Sequence, residues 1–336
     1  MRREGSVTAV SWIPSESVTG AVFRVPFEVG FSHYDEPPPE VLSDVDALLA
    51  ADRARFVNQL QAWIEVDGGV IVDHGHSGTG RIGATTLRLG RQDMTFTAVA
   101  LPDRRRAESI NAKAVRFEQT AGGRTGVPAP RRVNRPPYVQ LAAPLAWTTL
   151  SLTLHSDGTQ DFELTGASPF PRHWVYDDQG RLAAKTATID YQRWSTEAFG
   201  RHSPWGDTDS PAFVTEVESA LERELSRQIM RSGAKPQIRR LHAREQLTKQ
   251  GEQADELFLL LDGVLTVDVD GIAVAEVGPG AVLGERSILE SGRRTASLTA
   301  VTPCTVAVAD RGSVDLASLR EVAAGHRREE TPNSAH

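Results

Sequence analysis

The first 200 residues consist largely of short runs in which apolar and polar residues alternate, separated by Gly, Pro, Asn and Asp. Alternation with a period of two is typical of a strand that buries one face. The clearest runs are 21–31, 58–66, 69–75, 84–90, 94–101, 114–120, 147–155, 160–166 and 181–191. Asp67-Gly68-Gly69 and Ser156-Asp157-Gly158 are hairpin turn signals. The pattern predicts a mainly β chain that begins with an antiparallel β barrel or sandwich.

Two segments interrupt these strands. Apolar residues at helical spacing predict one helix over about Glu40–Phe56. Segment 122–137 is rich in Gly, Pro and Arg, so we expect a long loop there.

A polar stretch, 199–211, precedes a second predicted helix. Ser210 suits the N-cap and Pro211 the first helical position, while Gly233 suits the end, so the helix is expected over 211–232. Its apolar face consists of Phe213, Val217, Leu221, Leu225 and Ile229. We interpret it as a linker helix between two domains, with dimerisation as the competing use.

The resulting domain prediction has four parts. Residues 1–200 form a β-rich domain of unknown function, and 201–234 hold the linker and its helix. Residues 235–325 form a second domain that ends with a short helix at 314–326, and 326–336 are a disordered tail.

Composition narrows the class of protein. The chain has 336 residues and a net charge of −7, with only short basic clusters, which argues against a nucleic-acid partner. Cys304 is the single cysteine and cannot form an internal disulfide, which fits a reducing compartment. No signal peptide and no membrane-length apolar run are visible, so a cytoplasmic protein without a membrane partner is expected.

Segment 278–298, GPGAVLGERSILESGRRTASL, carries the most specific chemical pattern. Gly284-Glu285 precede Arg293-Arg294, and Thr295-Ala296-Ser297 follow. An arginine fork matches the oxygens of a phosphate, and a carboxylate can accept a hydrogen bond from a ribose hydroxyl. Glycine lets the backbone approach a ligand, and the N–H groups of a short helical turn attract an anion. The segment is therefore suited to a sugar-phosphate.

This pattern closely resembles the phosphate-binding cassette of cyclic nucleotide-binding domains, the family of catabolite activator proteins, kinase regulatory subunits and gated channels. The resemblance covers roughly Gln237 to Arg320, with Gly251 in a turn, Leu257–Leu261 as a strand and Gly263 opening a hairpin. It implies a C-terminal jelly-roll barrel with short flanking helices. Residues 283–296 are called the cassette below.

The resemblance also implies roles for individual residues. Glu285 would hold the ribose 2′-hydroxyl and Arg294 the cyclic phosphate, whereas Arg293 would point to solvent. Arg286–Leu289 would form a short helix. The expected ligand-binding residues are Leu283, Gly284, Glu285, Arg286, Ser287, Arg294, Thr295 and Ala296.

The implied function is that of a regulatory protein that binds cyclic AMP or cyclic GMP, without another cofactor or a metal. Thr295 resembles the hydroxyl residue common in cyclic GMP-selective kinases, yet cyclic AMP receptors tolerate it too, and we favour cyclic AMP. The residues after the barrel are too few for a helix-turn-helix domain, so we expect none there. The predicted C-terminal helix has no aromatic residue to cover the base.

Three alternatives stay open. The barrel could have lost its ligand, the protein could recruit a partner when it binds the nucleotide, or residues 1–200 could be an enzyme gated by the ligand. Residues 1–200 resemble no family that we recognise and show no coherent nucleophile, carboxylate pair or phosphate loop. We therefore favour a non-enzymatic protein.

Other motifs in residues 1–200 are weaker. Gly78–Gly83 matches GxGxxG, but the β-branched residues that follow favour a strand, where a dinucleotide fold needs a helix. His74 and His76 would share a strand face and could ligate a metal, although nothing in their spacing requires it. The aromatic segment 168–177 could line a pocket or, as we favour, form part of the core.

Overall fold

The structure is a computed structural model. The residues it describes are 1–15, 17–18, 34–51, 53–83, 85–89, 92–96, 98–125, 129–132, 139–142, 144–198, 203–206, 214–215, 220–231, 236–310, 312, 314, 316–317, 319–320 and 322–323. The chain divides into two compact units, Met1–Val214 and Thr215–His336.

The first unit is dominated by antiparallel strands. They are β1 (Arg2–Trp12), β2 (Phe56–Asp67), β3 (Val70–His76), β4 (Thr79–Ile82), β5 (Thr85–Leu89), β6 (Gln92–Phe96), β7 (Val99–Ala100), β8 (Arg104–Asn111), β9 (Ala114–Arg124), β10 (Ala129–Arg132), β11 (Val139–Ala142), β12 (Leu145–His155), β13 (Gln160–Ala167), β14 (Arg172–Tyr176) and β15 (Leu182–Thr186). Two helices accompany them, α1 (Val45–Ala50) and α2 (Tyr191–Glu197).

Two sheets of this unit pack face to face. Strands β15-β14-β1-β2-β3 form one in that order, with β4 also on β2, and β13-β12-β9-β7 form the other, with β8 on β9. The main apolar cluster draws on both, with Leu60 and Ile64 from β2 and Phe117 and Leu150 from β9 and β12. Among the described residues the unit is a sandwich and not a closed barrel, which selects between the two predicted architectures.

A polar network lies inside this sandwich. The Asn58 amide donates to the Thr148 carbonyl (3.0 Å) and the Gln119 carbonyl (3.2 Å), and Gln119 donates back to Asn58 Oδ1 (2.8 Å). All three residues are buried. Because each amide has a partner on another strand, the network stabilises the alignment of β2, β9 and β12.

The first predicted helix is wrong at both ends. It spans only Val45–Ala50, begins at the Asp44 N-cap, whose carboxylate accepts from Ala47 N (2.9 Å), and is followed by strand β2 from Phe56. Phe56 is fully buried. Pairing in the sheet stabilises an extended backbone at Phe56 more than the helical spacing of the preceding residues favours a helix. The predicted loop 122–137 also contains the end of β9 and all of β10, which pairs with β11.

The second unit contains two four-stranded antiparallel sheets. Its strands are β17 (Gln237–Leu241), β18 (Gln246–Thr248), β19 (Glu256–Asp262), β20 (Leu265–Val269), β21 (Ile272–Val277), β22 (Val282–Leu283), β23 (Ser297–Ala300) and β24 (Cys304–Asp310), numbered after β16 (Val214–Thr215) at the division of the units. The sheet orders are β17-β24-β19-β22 and β18-β23-β20-β21. No closed barrel is present in the described residues; the two sheets enclose the interior as a sandwich.

Strand β19 is buried on both faces. Phe258 and Leu260 belong to the interior cluster between the sheets, whereas Leu257, Leu259 and Leu261 belong to a second cluster on the outer face. That outer cluster also holds residues of helix α3 (Ala220–Arg231) and of helical residues 316–323 as far as they are described.

The bounds of the linker helix differ from the predicted 211–232. Val214–Thr215 are extended, and α3 begins only at Ala220. Ser210, Pro211, Gly233 and the predicted tail 326–336 lie outside the described residues.

Candidate functional site

The cassette begins where β22 ends, at a glycine that the local geometry requires. Gly284 has a φ of 87°, in the left-handed region that non-glycine residues disfavour. A Cβ at this position would lie 2.5 Å from Arg294 Nη1 and 3.1 Å from the Glu256 carbonyl oxygen. Glycine thus supplies both the turn and the space that the Arg294 side chain occupies.

The short helix expected over Arg286–Leu289 is present, with π-helical geometry at Ser287–Ser291. The Gly292 N–H donates to the Ser287 carbonyl (2.7 Å), and Gly292 has a φ of 65°. Ser287 is buried, and its hydroxyl donates to the Gly284 carbonyl (2.6 Å). The turn is therefore closed on itself by hydrogen bonds at both its beginning and its end.

A neighbouring loop holds the far side of the cassette. Arg294 N donates to the Glu252 carbonyl (2.8 Å), Gly251 N donates to the Arg294 carbonyl (2.8 Å), and Ala254 N donates to the Gly292 carbonyl (2.8 Å). These backbone bonds fix the main chain of Arg294 against the turn that contains Gly251.

The Arg294 side chain crosses the cassette and is only 7% exposed. Its Nη1 donates to the Glu256 carbonyl (2.9 Å) and to Ser287 Oγ (3.2 Å), and the guanidinium lies 4.7 Å from the centre of the Phe258 ring. Within the described part of the chain all its side-chain hydrogen bonds use Nη1. The Nε and Nη2 groups are thus left for another acceptor.

Arg294 places a buried positive charge in the cassette, next to three carboxylates. Burial lowers the pKa of Arg294, and the nearby carboxylates of Glu256, Asp255 and Glu252 oppose that shift. A guanidinium stays charged under these conditions, so a positive charge is held with little solvent around it. Charge-assisted hydrogen bonds are stronger in such a setting than in water.

The other predicted residues have different surroundings. Glu285 is 5% exposed, and Leu283 belongs to the interior apolar cluster. Arg286, Thr295 and Ala296 are half-buried. Arg293 is exposed, as expected, and donates to the Gly251 carbonyl (2.9 Å). The structure thus brings Gly284, Ser287 and Arg294 into direct contact.

Sequence reasoning missed three groups at this site: the Glu256 carbonyl, the Phe258 ring and the Glu222 carboxylate, which accepts from Val282 N (3.3 Å). Because Phe258 lies within an apolar run, the sequence indicated only that it belongs to the apolar core. Backbone carbonyls give no sequence signal, and Glu222 lies 60 positions before its partner.

The candidate metal pair in the first unit packs into the edge of the core. His74 and His76 do share a strand face, and their rings make edge contacts with Phe117 at 5.8 and 5.0 Å between centroids. Burial lowers the pKa of His76. In the part of the chain that the structure describes, no three His, Cys, Asp or Glu side chains are placed to hold a metal.

The aromatic segment 168–177 has a core role. Strand β14 within it is buried along its whole length, and Phe170, Trp174 and Tyr176 belong to apolar clusters. His173 is fully buried: its Nδ1 lies 2.6 Å from Ser11 Oγ and its Nε2 3.0 Å from the Ser168 carbonyl. Burial lowers the pKa of His173 to about 4.

The structure also bears on the GxGxxG motif and on membrane-spanning helices. The GxGxxG segment Gly78–Gly83 contains strand β4, so the helix of a dinucleotide site is not formed there. Of the described helices, none has both the length and the apolar character that crossing a bilayer requires.

Comparison with known proteins finds a family match within the second unit. The family model of the cyclic nucleotide-binding domain matches residues 238–317. The match includes β22, the cassette and both sheets.

Two curated proteins are similar to part of the chain. Over 81 residues the chain is 33% identical to the cGMP-dependent protein kinase egl-4 of Caenorhabditis elegans, covering 24% of this chain and 10% of the kinase. Over 91 residues it is 28% identical to the cAMP-dependent protein kinase regulatory subunit of Yarrowia lipolytica, covering 27% of this chain and 24% of the subunit. The chain therefore spans a quarter or less of either relative's length.

A solved cyclic nucleotide-binding domain from Methylobacillus flagellatus is 28% identical, with a TM-score of 0.22, and the match covers 28% of this chain and 53% of that one.

Proposed function

We propose that the second unit binds a cyclic purine nucleotide and that the protein is regulatory. The observation that carries the proposal is the half-engaged guanidinium of Arg294, fixed through Nη1 while Nε and Nη2 stay available beside a glycine turn. Two parallel N–H donors match two oxygens of a phosphate. The family match supports the same ligand class.

The cyclic phosphate and the ribose of the ligand would be bound by groups of opposite charge. Arg294 and the N–H groups near Ser287 and Thr295–Ala296 bind the cyclic phosphate, and Glu285 accepts from the ribose 2′-hydroxyl. Each charge-assisted contact in a partly dry site contributes about 1.5–3 kcal/mol. A ligand that lacks the 2′-hydroxyl should therefore bind more weakly than its ribose counterpart.

Calorimetric titration of the full chain with cyclic AMP and cyclic GMP tests this function. Arg294→Ala is expected to weaken binding at least tenfold because it removes the charge-assisted contact, worth about 1.5–3 kcal/mol. Arg293→Ala is the matched control, since this adjacent arginine is exposed and its Nη1 donates to the Gly251 carbonyl. Equal affinities for the wild type and Arg294→Ala, or no binding of either nucleotide, would refute the proposal.

The preferred base is proposed to be adenine. Thr295 stands directly after Arg294, where its hydroxyl could meet either the phosphate or a guanine amino group. Thr295→Ala distinguishes the two: a loss confined to cyclic GMP would assign the hydroxyl to the base and reverse our preference. A similar loss for both nucleotides would assign it to the phosphate.

We further propose that binding signals to the first unit or to a protein partner, including a second copy, through the segment around α3. A ligand shifts such an equilibrium only if it favours one arrangement. Light scattering and limited proteolysis with and without the nucleotide test this step, and we expect a nucleotide-dependent change in one of them that Arg294→Ala abolishes. The cytoplasm is the proposed location.

A further inference from the structure

Helix α3 contacts the start of the cassette through a buried carboxylate. Glu222, in the first turn of α3, is 7% exposed, and its Oε1 accepts from Val282 N at 3.3 Å. Val282 begins β22 and lies two residues before Gly284. The contact therefore joins the helix to the strand that positions the cassette's glycine turn.

Apolar contacts connect the same helix to the rest of the cassette. Leu225 and Ile229 of α3 belong to one cluster with Val282 and with Ile288 of the π-helical turn. Apolar packing has no strong directional preference, whereas a hydrogen bond to a backbone N–H does. Glu222 is thus the contact that sets the helix against one backbone position of β22.

The ladder of β22 is short, and just before the strand the Ala281 carbonyl accepts from Leu260 N (3.0 Å). Only two residues form the strand, and its ladder to β19 consists of Leu283 opposite Phe258 and Val282 opposite Leu259. Phe258 is also the ring over which Arg294 lies. Releasing the Val282 N–H would loosen the point at which Gly284, Phe258 and the Arg294 guanidinium meet.

We propose that Glu222 is a positioning residue for the nucleotide site and couples α3 to the cassette. The inference rests on the proposed function of this unit. Because coupling between two sites is reciprocal, nucleotide binding should strengthen the Glu222–Val282 contact as much as that contact strengthens nucleotide binding. The carboxylate itself does not touch the ligand.

Three variants separate this role from general destabilisation. Glu222→Ala removes the acceptor, and Glu222→Gln keeps an acceptor oxygen of nearly the same size without the charge. Gln228→Ala is the matched control, a half-buried polar residue on the same helix. Each protein is analysed by calorimetry with cyclic AMP and by hydrogen–deuterium exchange of the peptide that holds Val282, with and without the nucleotide.

Glu222→Ala is expected to weaken cyclic AMP binding about tenfold and to speed exchange at Val282 in the nucleotide-free protein, because a buried N–H loses its acceptor. Cyclic AMP should slow that exchange in the wild type and much less in the variant. Glu222→Gln should stay within about threefold of the wild-type affinity, since an acceptor remains. Gln228→Ala should behave as the wild type.

Three outcomes would overturn the inference. One is wild-type affinity for cyclic AMP in Glu222→Ala. Another is faster exchange in the central strand β24 that matches the increase at Val282, which would indicate general loosening. The third is wild-type exchange at Val282 in the nucleotide-free variant alone, a result that can be read even if no nucleotide binds. Absence of binding to the wild type would instead refute the proposed function.

Discussion

Buried polar side chains have different roles in the two units. In the first unit, Asn58, Gln119 and His173 are buried with partners on neighbouring strands. In the second, Arg294 is almost as deeply buried, yet its hydrogen bonds within the described chain use one of its three nitrogens. Burial and a shifted pKa occur in both units, so neither identifies a ligand site. What separates Arg294 from these three residues is that donors on its guanidinium remain available beside a glycine turn.

The strongest way to test the structural side of this contrast is to remove a fully buried carboxylate. Asp35 accepts from Arg55 Nε (3.0 Å) and from Ile13 N (2.7 Å), and the Asp35 and Arg55 side chains are 0% and 3% exposed. Asp35→Ala leaves a buried guanidinium without this partner and should lower the free energy of unfolding of the first unit by about 3–5 kcal/mol.

Urea unfolding followed by tryptophan fluorescence measures this effect, since all 6 tryptophans lie within Met1–Val214. Asp46→Ala is the control, because its ion pair with Arg81 is exposed and should contribute little. Affinity for the cyclic nucleotide should not change. A stability loss no larger than that of Asp46→Ala would mean that the buried pair is not structural.

The sequence predicts the parts of the fold in which one strand face is buried. Strand β2 alternates clearly in burial and was located. Strand β12 was located from the alternation of Leu150, Leu152 and Leu154 with polar residues, although most of the strand is buried. Strand β14 is buried on both faces, so its alternation disappears and it could be interpreted only as a core or pocket segment. The predicted helix was longer than α1 because the apolar spacing continues into residues that pair in strand β2.

The candidate site divides in the same way. Gly284, Glu285 and Arg294 could be singled out because the roles proposed for them depend on spacing within one short segment. The Glu256 carbonyl and Glu222 approach that segment from distant positions in the chain, and only the folded structure brings them together. The linear pattern therefore finds the residues that we propose face the ligand, but it does not find the groups that contact them from elsewhere in the chain.

Acidification gives a second test of the first unit. Burial lowers the pKa of His173 to about 4 from the usual 6.5, so the unfolded chain binds a proton that the folded chain excludes between these values. Stability is therefore fully present above pH 6.5 and is lost as the pH falls towards 4, by about 3 kcal/mol in total. Below that pH this contribution should change no further.

The measurement is the urea midpoint by tryptophan fluorescence at several pH values, compared with His173→Gln. The variant should be less stable at pH 7, since its hydrogen bonds to Ser11 and Ser168 are altered, but its pH dependence over this range should be flatter. An unchanged slope in His173→Gln would assign the acid sensitivity to other groups.

Glycine substitutions test the ligand-binding side of the contrast. Gly284→Ala places a Cβ 2.5 Å from Arg294 Nη1, whereas Gly292→Ala meets nothing within 4 Å although its φ of 65° is also left-handed. Both variants should lose about 1–2 kcal/mol of stability from the backbone conformation. Only Gly284→Ala should also weaken cyclic nucleotide binding, by at least about tenfold, because Arg294 must move from its position.

Calorimetry on both variants checks this expectation, with thermal unfolding as the measure of the shared backbone effect. If the two alanine variants lose affinity equally, the effect comes from the turn conformation, and the packing of Arg294 against Gly284 is irrelevant to binding.

The smallest expected effect concerns the acidic rim around Arg294. Glu252, Asp255 and Glu256 surround an arginine that we propose binds an anion, and all three are exposed. Asp255→Asn removes one negative charge without altering the buried contacts, so affinity for cyclic AMP should rise about twofold at low salt, and the gain should shrink as ionic strength increases. Glu245→Gln is the control, since Glu245 is not among the charges that act on Arg294. A gain that persists at high salt would indicate a rearranged loop, because screened charges at the rim act only over distances comparable to the Debye length.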